Sequence, residues 1–475
     1  MTWRECERAP DAFMENTFPL STQETFGGTP LATEAVPRTN GWLRSALASL
    51  PSASRTMPVA YSFADQALAA GGSFLANVIL ARTQSKEEYG MFALSYSFYV
   101  LLASIHNSTI LEPYTVYGSG RYRAHFSEYL RLMARSNALL GLVLTGSLLL
   151  SCLVLLWIAP RLVSRALWGL ALTVGVLLSG LFLRRVFYLQ RQASLAAGTS
   201  LVFFVTVACG LWLTVRAHVL DSFSVFLVLA LGWITAGVSF GRKLSFGKPQ
   251  QSFLELEPDY WREHWKYTRW VLATAFVYQL TTQGYYWLVG GFLSVKDVGD
   301  LRAMYLLVTP VEQGFVALTF LVLPALASRY AAKRMGDYLS LLRRYGLAIL
   351  SVTALFALAV RVAGKPVMHA LYAGKFDGLA PILFMLALLP VLTGIGCVMA
   401  NALNAAEKPN LVFLAYLCSA ASTVLLGIPL VIHFGLRGAV YGMLLSASVY
   451  GGALALGFLF EILGKTNETP AEDRP

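Results

Sequence analysis

Charge is what this chain has least of. Only 13% of its 475 residues are Asp, Glu, Lys or Arg, against about 25% in ordinary soluble domains. A surface in water has to be covered by polar side chains, so a soluble protein is excluded, as is a soluble enzyme on a single membrane anchor. The mean hydropathy of +0.58 agrees. Cysteine is scarce too: Cys6 lies in a polar N-terminal stretch, and Cys152, Cys209, Cys397 and Cys418 stand singly inside apolar runs. Without CxxC or Cys/His spacing, neither a disulfide framework nor a metal site is indicated. Small buried thiols account for them. The motifs GxxxxGK[ST], HExxH and GxSxG are missing, and no large loop carries paired carboxylates. The expectation is therefore no catalytic residue, no metal and no cofactor. The net charge is +11, yet no run of five like charges occurs. Nucleic acid requires a clustered basic face, so it is not expected as a partner.

What the chain does have is long apolar runs. One membrane-crossing helix takes about 20 apolar residues. Twelve such runs are legible, at about 59–81, 89–112, 136–158, 163–183, 192–215, 219–240, 268–293, 299–327, 345–364, 379–404, 409–433 and 436–460. The fold expected is all-α: a polytopic membrane protein of about 12 transmembrane helices, in two six-helix lobes around a central cavity. Lys and Arg concentrate in cytoplasmic loops of membrane proteins. With both termini inside, inner loops and tails hold 26 of the 37 Lys and Arg residues. This places the chain in the cytoplasmic (inner) membrane, with both ends cytoplasmic. The organisation expected is a disordered cytoplasmic tail (1–56), an N-terminal lobe (57–240), a cytoplasmic amphipathic linker (241–267), a C-terminal lobe (268–460) and a cytoplasmic C-terminal tail (461–475). The first 56 residues have no apolar core behind a basic start and do not read as a signal peptide.

An internal repeat supports the two lobes. Ser85-Lys86-Glu87-Glu88-Tyr89-Gly90 precedes the second run, and Ser294-Val295-Lys296-Asp297-Val298-Gly299 precedes the eighth, 209 residues on. Beyond those runs, Glu128-Tyr129-Leu130 answers Asp337-Tyr338-Leu339 at the same offset. An even number of spans per unit gives repeats of like orientation, related by an axis along the membrane normal.

Ionisable groups inside a membrane cost at least about 2.5–3.5 kcal/mol each at a helix centre, so the few present are functional candidates. Asp65, Ala69, Ser73 and Asn77 recur every fourth residue in the first run. Tyr96, Tyr99, Ala103, His106 and Asn107 share a face of the second. Ala275, Gln279, Gln283 and Tyr286 line one face of the seventh. Arg302, Tyr305, Thr309, Glu312 and Gln313 follow in the eighth. Lipid offers no hydrogen-bond partners to such stripes, and all four fall in the first two runs of each repeat. A polar cavity between the lobes is the economical expectation. Simple helix-to-helix glue is the alternative, evenly matched for Ser73, Asn77, Thr309 and Gln283. Glu112 fits an interfacial position. Arg184 and Arg185, with Arg191 beyond, read first as interface arginines facing lipid headgroups, and otherwise as contacts for an anionic substrate.

The punctuation between the runs resembles a known family. Arg82 through Glu88-Tyr89-Gly90-Met91-Phe92 is similar to the R-x-x-x-x-x-E-Y-G-x-F segment after the first helix of bacterial oligosaccharide flippases. Leu371-Tyr372-Ala373-Gly374-Lys375-Phe376, Asn401 to Pro409 and Gly435-Leu436-Arg437-Gly438-Ala439 resemble that family's C-terminal half. The family is the Wzx-type polysaccharide flippases of the multidrug/oligosaccharidyl-lipid/polysaccharide exporter superfamily. The resemblance covers about residues 57–460 through weak motifs in the right order. It implies alternating access around a V-shaped cavity and transfer of a lipid-linked (undecaprenyl-pyrophosphate) oligosaccharide for surface polysaccharide synthesis, whether O-antigen, capsule or exopolysaccharide. The partners implied are that glycolipid, membrane lipids and the polysaccharide polymerase and export machinery. Chemically, Arg302 suits the pyrophosphate, and Gln279, Gln283, Tyr286 and Tyr305 suit sugars. Asp65 and Glu312 suit ion coupling or the orienting of Arg302. The alternatives are an ion-coupled multidrug exporter of the same superfamily, which a cationic cavity disfavours, and a membrane polysaccharide polymerase or ligase, which would need a substantial outer loop.

Overall fold

The computed structural model describes residues 53–158, 164–244 and 260–463. Most of the expected N-terminal tail, the middle of the linker and the C-terminal tail lie outside the described residues. Every long element among those described is a helix. They are α1 (Ala53–Thr83), α2 (Lys86–His106), α3 (Glu112–Ser119), α4 (Phe126–Ile158), α5 (Arg165–Leu189), α6 (Ala193–Arg216) and α7 (Ser222–Phe240), then α8 (Tyr260–Phe292), α9 (Val295–Ala331), α10 (Met335–Tyr372), α11 (Ala380–Leu386), α12 (Leu389–Ala405), α13 (Pro409–Ser422) and α14 (Ile428–Phe458).

These helices make twelve rods, one for each apolar run. A π-turn, Asn107–Leu111, joins α2 to α3 in one rod, and a second, Thr423–Gly427, joins α13 to the start of α14. α11 and α12 follow one another within the tenth. Inside α14 the backbone at Gly435 takes φ 59°, ψ −138°, a conformation open essentially to glycine alone. There the chain turns back, so that Ser419 donates to the Ser446 carbonyl at 2.9 Å. The expected break between the last two runs falls at this residue.

Several rods overrun the apolar stretches that announced them. α8 begins at Tyr260 and α10 extends over Met335–Tyr372, because polar residues continue a helix into the interface once its apolar part is placed. Among the described residues eight segments, one of them covering both of the last two rods, are long and apolar enough to cross a membrane by length and composition alone. The rods that miss that standard are α2–α3, α8 and α9. They carry polar stripes, and α2 packs on both α8 and α9.

The N-terminal six rods pack as α1 on α6, α5 on α4 and α7, and α6 on α7; the C-terminal six pack as α12 on α10 and α14, with α9 beside α12. The two sets meet where α2 lies against α8 and α9, and α1 against α10. Ser85 caps α2 by accepting from Glu88 N, and Ser294 caps α9 by accepting from Asp297 N at 3.2 Å. These are equivalent positions of the repeat. Five residues further, the equivalent glycines meet: a Cβ on Gly90 would sit 1.8 Å from the Val295 carbonyl oxygen, and one on Gly299 would sit 2.6 Å from that of Lys86. Only hydrogen fits where the two backbones cross. At its other end the repeat shares buried tyrosines, though their acceptors lie in non-equivalent rods. Tyr129 and Tyr338 are both fully buried, and their hydroxyls donate to the carbonyls of Pro113 (3.0 Å) and Ala402 (2.9 Å).

Candidate functional site

The glycine crossing brings the first turns of α9 against α1 and α2, and this placement positions Arg302. Its guanidinium sits 4.8 Å from the Tyr96 ring centre and 5.9 Å from that of Tyr286, and its Nε donates to Asn77 Oδ1 at 3.1 Å. Asn77 is 1% exposed and held from below by Nδ2 donating to the Ser73 carbonyl at 2.8 Å. The Tyr89 hydroxyl reaches the same Asn77 oxygen at 3.5 Å. Among the described residues no carboxylate lies within ion-pair distance of Arg302. Its neighbours are instead tyrosine rings and the Asn77 amide, at a junction built from both sets of rods.

A polar band continues from Arg302 along α8 and α9. The Tyr286 and Tyr305 rings lie edge to face with centres 6.3 Å apart, and the Tyr305 hydroxyl donates to Glu312 Oε2 at 2.7 Å. Thr282 donates to Gln279 Oε1 at 3.3 Å. Gln283 Oε1 and the Tyr286 hydroxyl are buried and make no hydrogen bond among the described residues. Buried polar atoms are nearly always partnered, and of these two the Tyr286 ring lies beside Arg302. Tyr96 and Tyr99 extend the band on α2, with ring centres 5.4 Å apart. Gln313 is exposed.

Two candidates belong elsewhere. Asp65 does not orient Arg302. It is fully buried within the N-terminal six rods, and its carboxylate accepts from Arg184 Nε at 3.0 Å, Arg184 Nη2 at 2.5 Å, the Tyr188 hydroxyl at 2.6 Å and the Ser200 hydroxyl at 2.5 Å. Arg184, first read as an interface residue, is the counter-ion that a buried carboxylate needs. His106 is also fully buried, with Nε2 at 2.7 Å from Asn137 Oδ1, inside the α2–α4 contact. Arg185, the second of the doublet, reaches Asn107 Oδ1 at 3.4 Å, and Asn107 Nδ2 donates to Glu112 Oε1 at 2.9 Å. The π-turn at 107–111 shifts the register there, which turns Asn107 toward α5.

Sequence reasoning missed the bonds that close the α1–α2 and α8–α9 end. Lys86 pairs with Asp300 at 2.8 Å, Lys375 Nζ donates to the Gln84 carbonyl at 2.6 Å, and Arg82 donates to the Ala370 carbonyl at 2.7 Å. Trp287 Nε1 donates to Ser97 Oγ at 2.9 Å. The signal for them was Arg82, Lys86 and Lys375 on the side where cations are otherwise sparse.

No family model matches the sequence, and no curated protein matches it either. Solved structures do match in fold. An inward-facing multidrug resistance MATE family transporter of the MOP superfamily superposes with a TM-score of 0.72 at 12% identity, over 85% of this chain and 96% of that one. The lipid II flippase MurJ, in an inward closed conformation, gives 0.62 at 15% identity over 84% and 87%. The fold is that of the MOP-type transporters. A MOP superfamily transporter from Pyrococcus furiosus, described as having a binding pocket of reversed polarity, gives 0.58 at 12% identity over 86% and 94%.

Proposed function

We propose that this chain is a flippase that carries a lipid-linked, pyrophosphate-bearing oligosaccharide across the bacterial cytoplasmic membrane by alternating access, for surface polysaccharide synthesis. The observation that carries the reading is Arg302, a cation between the lobes with no carboxylate beside it. A phosphate oxygen matches its free guanidinium N–H groups, since planar guanidinium binds phosphate in two-point fashion. The tyrosine faces of Tyr96, Tyr286 and Tyr305 and the amides of Gln279 and Gln283 suit sugar rings and hydroxyls. Glu312, half-buried beside Tyr305, fits proton or sodium coupling in this reading. The same carboxylate is what favours a second reading, an exporter of organic cations, against which the unpaired Arg302 stands.

A deletion strain separates the two. Loss of a surface polysaccharide, with its lipid-linked repeat unit accumulating on the inner leaflet, is the expected result. Normal polysaccharide together with drug hypersensitivity would overturn the flippase reading. At the site, Arg302→Ala should reduce export at least tenfold at unchanged membrane abundance, and Arg302→Lys should recover part of it. Full export by Arg302→Ala removes the assignment.

A further inference from the structure

α8 has 33 residues and is about 50 Å long at roughly 1.5 Å per residue. The hydrocarbon core is about 30 Å thick, so the first turns of α8 stand in the interface at the end where the chain enters and leaves the bundle. Those turns have three different faces. Tyr260, His264 and Thr268, spaced by four, are buried, and the first two lie against α4 and the link that precedes it: Tyr122 and Tyr260 have ring centres 6.2 Å apart, and the Tyr129 hydroxyl is 3.3 Å from His264 Nε2. Glu263 is paired with Arg121. The segment's rotation about its own axis is thereby fixed. On the face turned away from α3 and α4, Arg262, Lys266 and Arg269 follow at intervals of four and three, and all three are exposed. Among the described residues none of them makes an ion pair; Arg269 lies 5.7 Å from the Trp270 ring centre. Tryptophans flank this row, with Trp261 and Trp265 58% exposed and Trp270 68% exposed. Exposed tryptophan sets the depth of a helix at the water–lipid boundary. Cations at that depth meet headgroups rather than acyl chains or bulk water.

We infer that the Arg262, Lys266 and Arg269 face is a docking site for anionic phospholipid headgroups, and that this leaflet contact holds the α8 strap in place. The inference uses the membrane-spanning fold and is independent of the cargo. The strap is part of a rod that packs on α2 as well as on α13 and α14 of the C-terminal set, and its first turns lie against α3 and, through Tyr129, α4 of the N-terminal set. Headgroups gripping it tie the lipid surface to the joint between the two halves. A cation close to an anionic leaflet contributes about a fivefold gain in affinity, and three contribute about a hundredfold.

The test titrates the full-length protein in neutral detergent with dioleoylphosphatidylglycerol or dioleoylphosphatidylcholine and follows the melting temperature. Phosphatidylglycerol should stabilise at far lower concentration than phosphatidylcholine. The triple variant Arg262→Gln, Lys266→Gln, Arg269→Gln should melt normally without lipid and lose that preference by about a hundredfold in apparent affinity. The double variant Arg343→Gln, Arg344→Gln, on exposed cations of α10, should keep it. Equal stabilisation by phosphatidylcholine, retention of the preference by the triple variant, or the same loss in the α10 variant would each overturn the proposal. Stabilisation by inorganic pyrophosphate through these three residues would also overturn it, by making them a soluble-anion site.

Discussion

Asp65 and Arg302 show how differently two intramembrane charges are treated. Asp65 is a carboxylate with four donors on its two oxygens, from α5 and α6. Its role is to fix α1 against α5 and α6. Removing one member of a buried pair strands the other, at a cost of about 3–5 kcal/mol. Arg184→Ala should therefore lower the melting temperature and abundance of the protein, and Asp65→Asn should do so less, because the amide keeps part of the hydrogen bonding. A normally stable Arg184→Ala variant would contradict this. Arg302 has no such partner, so Arg302→Gln should leave the melting temperature close to wild type while export falls. The contrast between stability loss at one charge and transport loss at the other is measurable in a single set of thermal melts and export assays.

Elements meet at two joints with different chemistry. At the crossing of α2 and α9, Gly90 and Gly299 leave no room for a side chain, and the atoms opposite are backbone, which cannot swing aside. Gly90→Val should hold that end apart. The check is the disulfide cross-link between Lys86→Cys and Asp300→Cys in a cysteine-free background. It should form readily with Gly90 and fall at least tenfold in the Gly90→Val variant; equal cross-linking would show the crossing to be looser than described. At the other joint, burial among Tyr117, Tyr129 and Tyr260 lowers His264 from its ordinary 6.5 to about 4. The docked histidine is neutral, whereas a released one would take a proton below about 6.5. Stability of the joint is thus full above that pH and is lost as pH falls toward 4, by up to about 3 kcal/mol. Once divided by the intrinsic exchange rates, which themselves fall as pH falls, the protection factors over 260–268 should be lower at pH 5 than at pH 7.5, and His264→Gln should flatten the difference. Equal protection at both pH values would refute the pH sensitivity.

At the scale of the molecule, the lobes are joined at the α1–α2 and α8–α9 end by Lys86–Asp300, Lys375–Gln84 and Arg82–Ala370. In the alternating-access cycle proposed above, all of these have to break. The 86–300 disulfide should therefore arrest transport, and a reductant should restore it. Undiminished transport by the oxidised protein would mean that this end never opens. Twelve rods, the break near residue 435 and the 209-residue repeat were all legible in the sequence. Each depends on chain-local signals: apolar length, a glycine where φ turns positive, a serine cap. The placing of Asp65 was not legible, because Arg184 lies 119 residues away, and a helix face says only that a group points inward, not which inward group it meets.

Composition by itself determined that this chain spans a membrane with many helices, since 13% charged residues cannot clothe a soluble surface, and spacing determined which few positions are polar inside it. Only the tertiary structure decided which of those charges are satisfied. Helix packing is set by long-range shape, by two glycines crossing and a π-turn rotating a face, and it gave the cation of Arg184 to Asp65 while leaving that of Arg302 without a carboxylate.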